Sequence, residues 1–145
     1  MSNIEFFFED IDSISIHQDF LKTQIDALIS NERYETGELN IIFCSDAYLL
    51  EMNKQYLDHD YYTDIITFDY VDNNVISGDL FISLDRVNEN AESFNSLQIK
   101  ELYRVVLHGV LHLTGYKDKT DEEQEEMTKM EEFYLGKIDF KELKV

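Results

Sequence analysis

A chain of 145 residues has the size of one compact domain, and 43% hydrophobic residues supply enough apolar side chains for a core, which excludes an intrinsically disordered protein. The net charge of −19 repels polyanions and counts against a nucleic-acid partner, although much of the acidic surplus lies between residues 118 and 132. The single Cys44 excludes an internal disulfide, and the N-terminus has neither a basic segment nor a long apolar run, so we expect one cytoplasmic domain over residues 1–145.

The first half of the chain indicates alternating strands and helices, each recognised by the period of its apolar residues. The predicted elements are a strand at 4–8, a helix at 17–29, a strand at 39–44, and a helix from a cap at Ser45 or Asp46 to about Tyr56. Two further strands at 65–70 and 80–83 flank a turn at 72–74. We therefore expect these two strands to pair as a hairpin.

The second half indicates helices only. A short helix ends near Phe94, and a longer central helix begins at the candidate N-cap Ser96 and stops at Gly115. Thr120, with Glu123 three residues later, is a capping-box signature for a last helix. That helix has an apolar stripe that we interpret as core packing, formed by Met127, Met130, Phe133 and Tyr134. The order of elements predicts an α+β domain in which about four strands form a small mixed sheet, packed with helices around the central helix.

The end of the central helix carries a pattern typical of a metal site. His108 and His112 are four residues apart and so share one helical face. Gly115 can adopt a positive φ and turn the chain back, which would bring Asp118 over that face. Two imidazoles and a carboxylate suit zinc and leave a fourth position for water, as in a catalytic site. The pattern therefore predicts a zinc-dependent hydrolase.

A simpler interpretation is available for each of these ligands. The histidines could be partly buried helix residues, and Asp118 could cap the last helix, whose start is crowded by Thr120 and Asp121. Zinc proteases of the H-E-x-x-H type carry a glutamate base directly after the first histidine, and here that position is Gly109. The site thus looks like a zincin site without the proteolytic base, which makes a zinc protease the second choice.

The same residues resemble the hallmark of the YbeY family of single-strand-specific metallo-endoribonucleases, H-G-x-L-H-x-x-G-Y-x-H. The matching positions are His108, Gly109, Leu111, His112, Gly115 and Tyr116. Residues 63–68 resemble the family's T-D-V-L-S-F strand, and residues 78–82 resemble its G-D-I segment. The resemblance covers about residues 39–132 and implies a zincin-like fold and an enzyme of 16S rRNA 3′-end maturation and ribosome quality control.

Two positions depart from the family pattern. Asp118 stands where most members have a third histidine, and Leu57 stands where the N-x-x-Y-R stretch has an arginine that is thought to serve the cleft. Aspartate is a competent zinc ligand, so the first departure affects metal affinity more than the site itself. Some other cation must meet the phosphate, and Arg104, one turn before His108, is the candidate. Its alternative role is a surface arginine paired with Glu101 or a neighbouring acid, and no general base is assigned.

The resemblance implies single-stranded RNA, a 16S rRNA precursor, as the substrate, one Zn²⁺ per chain, and the ribosome or small-subunit proteins as partners. Neither a membrane nor DNA is expected as a partner. Besides the zinc protease, a second rival is a non-catalytic, ribosome-associated binding module with a structural metal. Such a module would use the acidic last helix to engage basic ribosomal proteins, which also accommodates the charge of −19.

Overall fold

Strands and helices follow one another in the predicted order in a computed structural model of the chain, which describes residues 3–58 and 63–143. The elements are β1 (Asn3–Phe8), α1 (Gln18–Asn31), β2 (Glu35–Cys44), α2 (Asp46–Leu57), β3 (Ile65–Asp69), β4 (Val75–Ser83), α3 (Leu84–Ser93), α4 (Gln98–Leu113) and α5 (Asp121–Leu135). The α+β class is thereby confirmed.

The four strands form one mixed sheet in the order β1-β2-β4-β3. β1 and β4 both pair with β2 in parallel, whereas β3 pairs with β4 in the antiparallel sense, from Ile65 opposite Ile82 to Asp69 opposite Gly78. The predicted hairpin is therefore present. The parallel pairs need crossover connections, and helices α1 and α2 lie in the segments that supply them.

Helices cover both faces of the sheet. α4 packs against β3 and β4 and shares the larger core with α1 and α5. α2 packs on the opposite face, where Leu49 meets Cys44 and Ile66 in a smaller apolar cluster. α4 is consequently the central helix, with most of its apolar side chains buried and one end free to present polar groups. Within the described ranges, no helix combines the length and the apolar run needed to cross a bilayer.

At the N-termini of the helices, one predicted cap is wrong and two are confirmed. Leu97, not Ser96, occupies the N-cap of α4, and no side chain caps that helix. Ser45 caps α2 by accepting a hydrogen bond from the Tyr48 amide at 3.1 Å. Thr120 and Glu123 form the predicted capping box of α5.

The apolar stripe predicted for α5 is only partly right. Met127 and Tyr134 are buried, but the Phe133 side chain is 49% exposed. Its ring instead lies under the Lys137 ammonium, 4.3 Å from the ring centroid. Phe133 and Tyr134 are adjacent on the helix and point about 100° apart, so both cannot face the core.

Candidate metal centre

The two histidines lie on the exposed edge of α4, near its C-terminal end. Their side chains are about one-quarter exposed, whereas the neighbouring residues Leu107, Gly109 and Leu111 face the core. The rings of His108 and His112 are 4.7 Å apart and nearly perpendicular. The helical spacing therefore presents two imidazoles side by side at the surface of an otherwise apolar helix.

The turn after α4 brings Asp118 to this pair of rings. Gly115 has φ +108°, a conformation that L side chains rarely adopt, and the amide of Tyr116 donates back to the Leu111 carbonyl at 3.1 Å. The chain reverses there, and Oδ2 of Asp118 lies 3.3 Å from Nε2 of both histidines. Gly115 therefore makes the turn that the sequence predicted for it.

The spacing of the three side chains fits a zinc ion. Two ligand atoms on a tetrahedral zinc, each about 2.1 Å from the ion, are separated by about 3.4 Å. The two nitrogen–oxygen distances of 3.3 Å agree with that value, and the three ligand atoms all lie within 4.8 Å of one another. The group could therefore hold a metal ion without rearrangement of the backbone.

Both histidines are held by their other ring nitrogen. Nδ1 of His112 donates to the Tyr116 carbonyl at 3.0 Å, and Nδ1 of His108 lies 2.6 Å from Oε2 of Glu131. A carbonyl and a carboxylate can only accept, so the proton is on Nδ1 in each ring. When the rings are neutral, both Nε2 atoms offer a lone pair toward Asp118, which is the state that a metal requires.

Asp118 is not at the cap of α5. The Thr120 side chain accepts from the Glu123 amide at 3.1 Å, and the Glu123 carboxylate accepts from the Lys119 and Thr120 amides. Since Thr120 and Glu123 satisfy the start of α5, the helix does not depend on Asp118. The alternative role considered for Asp118 is therefore filled by other residues.

Arg104 lies among three carboxylates. Its guanidinium pairs with Glu101 at 3.2 Å, Glu131 at 3.2 Å and Glu132 at 2.8 Å. The pairing with Glu101, given above as the alternative for this residue, is present. Burial raises the pKa of Glu101, although the charge of Arg104 and its hydrogen bond oppose that shift. The phosphate contact of Arg104 stays a prediction.

Comparison with known proteins decides the family. A sequence profile described as Endoribonuclease YbeY matches residues 7–139. The chain belongs to this family. One relative named Endoribonuclease YbeY, from Cytophaga hutchinsonii, is 50% identical over 133 residues, which cover 90% of this chain and 93% of the relative. Another of the same name, from Parabacteroides distasonis, is 49% identical over 128 residues, which cover 88% of this chain and 90% of the relative. A protein of Thermotoga maritima, solved in solution, superposes with a TM-score of 0.65 at 29% identity, over 93% of this chain and 91% of its own.

Gly109, a position of the YbeY pattern, has a packing role. A Cβ atom there would lie 2.7 Å from Cδ1 of Ile65, closer than real Cβ atoms pack, and about 3 Å from the methyl groups of Leu80. The glycine thus lets α4 approach β3 and β4 closely. A larger residue at this position would have to displace the side chains of Ile65 and Leu80. The glycine itself has no carboxylate that could act as the base of an H-E-x-x-H protease.

Leu57, where the YbeY pattern has arginine, is the last residue of α2, and its side chain is 42% exposed. Because leucine is uncharged, its side chain cannot supply the positive charge that an arginine would bring to a phosphate.

Sequence reasoning missed two side chains that act on His108. Glu131 binds its Nδ1, and Asp64, just before β3, lies near enough for the charges of Asp64 and His108 to influence one another. Burial raises the pKa of Asp64 against the opposing charge of His108. Burial also disfavours the charged form of His108, but the hydrogen bond and charge of Glu131 outweigh it, so the pKa of His108 is raised. A signal for Glu131 existed: it lies four residues after Met127 and three before Tyr134, in the buried stripe of α5.

Proposed function

We propose that this chain is a zinc-dependent, single-strand-specific endoribonuclease of the cytoplasm that acts in 16S rRNA 3′-end maturation and ribosome quality control. One observation carries the proposal: His108 and His112 each have Nδ1 bound to a fixed acceptor and Nε2 directed at the same oxygen of Asp118. An arrangement in which both imidazoles are oriented in advance is expected of a metal centre. Membership of the YbeY family supports RNA as the substrate.

In this proposal, His108, His112 and Asp118 hold one zinc ion. Imidazole nitrogen and carboxylate oxygen are common zinc ligands, and three protein ligands are typical of catalytic rather than structural zinc. A zinc ion bound there would polarise a phosphoryl oxygen and lower the pKa of a bound water toward neutrality. Asp118 contributes the negative charge of the site, and the acceptors on the two Nδ1 atoms keep the rings in place.

Arg104 is the cation of α4 proposed to contact the RNA phosphate. Its three carboxylate partners take Nε, Nη1 and Nη2, one hydrogen each, and the guanidinium has five N–H groups in total. The three contacts found among the described residues leave two N–H groups of the guanidinium that could contact an anion. The three carboxylates outnumber its single positive charge, so we expect its contribution to phosphate binding to be modest.

A zinc protease is the enzymatic alternative, and Gly109 counts against it because a glycine cannot serve as the general base. A ribosome-associated module with a structural metal is the other alternative. Structural zinc is normally closed by four protein ligands, whereas the group found here has three among the described residues. The acidic surface of α5 remains suited to basic ribosomal proteins, which are proposed as partners.

The proposal is tested by parallel assays on a single-stranded RNA and on casein, each with and without a chelator. We expect cleavage of the RNA alone, loss of cleavage on chelation and recovery when zinc is restored. RNA cleavage that persists after complete removal of metal, or in His112→Ala, would contradict the metal mechanism. Cleavage of casein would favour the protease, and inactivity on both would favour the binding module.

A further inference from the structure

Glu131 joins His108 to Arg104. One carboxylate oxygen lies 2.6 Å from Nδ1 of His108, and the other accepts a hydrogen bond from Nη1 of Arg104 at 3.2 Å. The two carboxylate oxygens of Glu131 therefore contact different residues. His108 and Arg104 lie one turn apart on α4, whereas Glu131 reaches them from α5.

The carboxylate of Glu131 is firmly placed. Glu131 is only 7% exposed and lies in the buried stripe of α5 beside Met127 and Tyr134. The guanidinium that holds it also pairs with Glu101, which is itself buried. A buried carboxylate is unfavourable unless its charge is compensated and its oxygens accept hydrogen bonds, and here both conditions are met.

We propose that Glu131 is a positioning residue of the metal centre, which keeps the His108 proton on Nδ1 and directs its Nε2 toward the ion, while Arg104 orients Glu131. The proposal rests on the proposed metal site. Because the carboxylate accepts only, it selects the ring form whose Nε2 carries a lone pair. Outer carboxylates that hold a ligating histidine in this way orient the ring and strengthen metal binding. α5, which contributes none of the three proposed ligands, thereby becomes part of the metal centre.

The same contact links metal binding to the packing of α5 on α4. Glu131 reaches His108 only while α5 is docked, since it is the α5 backbone that places its carboxylate beside the ring. A variant that loses this contact should therefore bind zinc more weakly even though all three ligands remain.

The matched pair of variants is Glu131→Gln and Glu132→Gln. Glutamine keeps the volume of Glu131 but loses its charge, and its NH2 group replaces one acceptor oxygen. That donor would face either the Nδ1–H of His108 or the N–H of Arg104, so one of the two contacts is lost. Glu132 is the adjacent acid, also pairs with Arg104 and is 53% exposed in its side chain. It therefore controls for the loss of one negative charge and one ion pair. Glu131→Ala removes the contact altogether.

Two measurements on full-length protein test whether Glu131 positions His108. Competition with a chromogenic chelator should show zinc affinity about 10–100-fold weaker in Glu131→Gln and Glu131→Ala, and changed by less than about fivefold in Glu132→Gln. In metal-free protein at a pH where the ring is neutral, nitrogen-15 NMR should find the His108 proton on Nδ1 in the parent and in Glu132→Gln. In Glu131→Ala, a substantial fraction should move to Nε2.

Zinc affinity equal to the parent's in Glu131→Gln, or an unchanged His108 proton position in Glu131→Ala, would overturn the proposal. If Glu131→Ala fails to fold, Glu131→Gln decides by zinc affinity and by loss of the fixed Nδ1 proton. A parent protein that binds no zinc would contradict the proposed metal site, and the positioning role with it. Normal zinc binding by the parent together with unaffected Glu131 variants would contradict the positioning role alone.

Discussion

Asp118 distinguishes the proposed metal centre of this chain from the three-histidine pattern that its family resemblance implies. Two neutral imidazoles and a carboxylate leave a zinc site with a formal charge of +1, whereas three imidazoles would leave +2. The carboxylate reaches both Nε2 atoms from a turn that depends on Gly115. In the proposed site, one residue would thus set both the charge and the third ligand position.

We expect Asp118→Ala to weaken zinc binding by more than about 100-fold, because loss of a direct ligand should cost more than the 10–100-fold typical of an outer partner. Asp118→His should keep zinc, since imidazole is an equally competent ligand. Chelator competition measures both affinities, and thermal unfolding of the metal-free variants controls for folding. Parent-like zinc affinity in Asp118→Ala would mean that the third ligand lies elsewhere.

Cys44 gives a prediction about pH. Burial, reinforced by the negative charges of Asp10 and Asp46, raises the pKa of its thiol from 9.0 to about 12. The native thiol should therefore not react with a thiol reagent at pH 8, and should react after unfolding in guanidinium. Above about pH 9 the unfolded thiol ionises while the native thiol stays protonated, so this group lowers stability as pH rises toward 12. Urea unfolding of the parent and Cys44→Ala between pH 8 and 10.5 measures the difference, and parallel pH dependences would contradict it.

The residues of the proposed site differ in how far the sequence could predict them. His108, His112 and Asp118 could be found because their spacing within one helix and one turn fixes their geometry. Glu131 comes 23 residues after His108 among many other acids, and only the docking of α5 on α4 brings it to the ring. Its spacing from Met127 and Tyr134 indicates that it is buried, but the contact with His108 depends on the packing of two distant segments.

Among the elements, the helix starts allow a direct comparison of two predicted caps. Thr120 caps α5 through the Glu123 amide, whereas Leu97 occupies the cap of α4 that was predicted for Ser96. Thr120→Ala should therefore lower the free energy of unfolding by about 1 kcal/mol, and Ser96→Ala should change it by less than about 0.5 kcal/mol. Urea unfolding measures both. An equal loss in the two variants would contradict the cap assignment.

The ion pairs between α4 and α5 predict a structural cost for Arg104→Ala. Removal of the guanidinium would leave Glu101 and Glu131 buried without a cation, which costs about 3 kcal/mol when a buried pair is broken. We expect a clear fall in the melting temperature, with a smaller fall in Glu132→Gln, whose acid is exposed. Differential scanning calorimetry of both variants is the measurement. A melting temperature unchanged in Arg104→Ala would indicate that these carboxylates do not depend on it.

The sequence predicted the order of the elements and the hairpin because both depend on local periods and turn residues. It did not predict the strand order β1-β2-β4-β3, since parallel pairing joins segments that are far apart in the chain. Ser96 was wrong as a cap because the helix begins one residue further on, at a leucine with no capping side chain. Phe133 was wrong as a core residue because Tyr134 takes the buried position beside it.

For the whole molecule, the charge of −19 is the main physical objection to an RNA substrate. Many of the acidic side chains of α5 face solvent. The exposed acids of that helix are Asp121, Glu122, Glu125, Glu126 and Glu132. Exposed charges are screened over about 8 Å at physiological salt, so this surface repels RNA mainly where the RNA approaches α5 itself.

Zinc stoichiometry of the purified protein tests the metal centre most directly. We expect one zinc ion per chain by elemental analysis after dialysis, and none in the variant that carries both His108→Ala and His112→Ala, because one remaining ligand cannot retain the ion. Circular dichroism of the double variant establishes that it is folded. Full zinc occupancy in the folded double variant would contradict the assignment of His108, His112 and Asp118 as the metal centre.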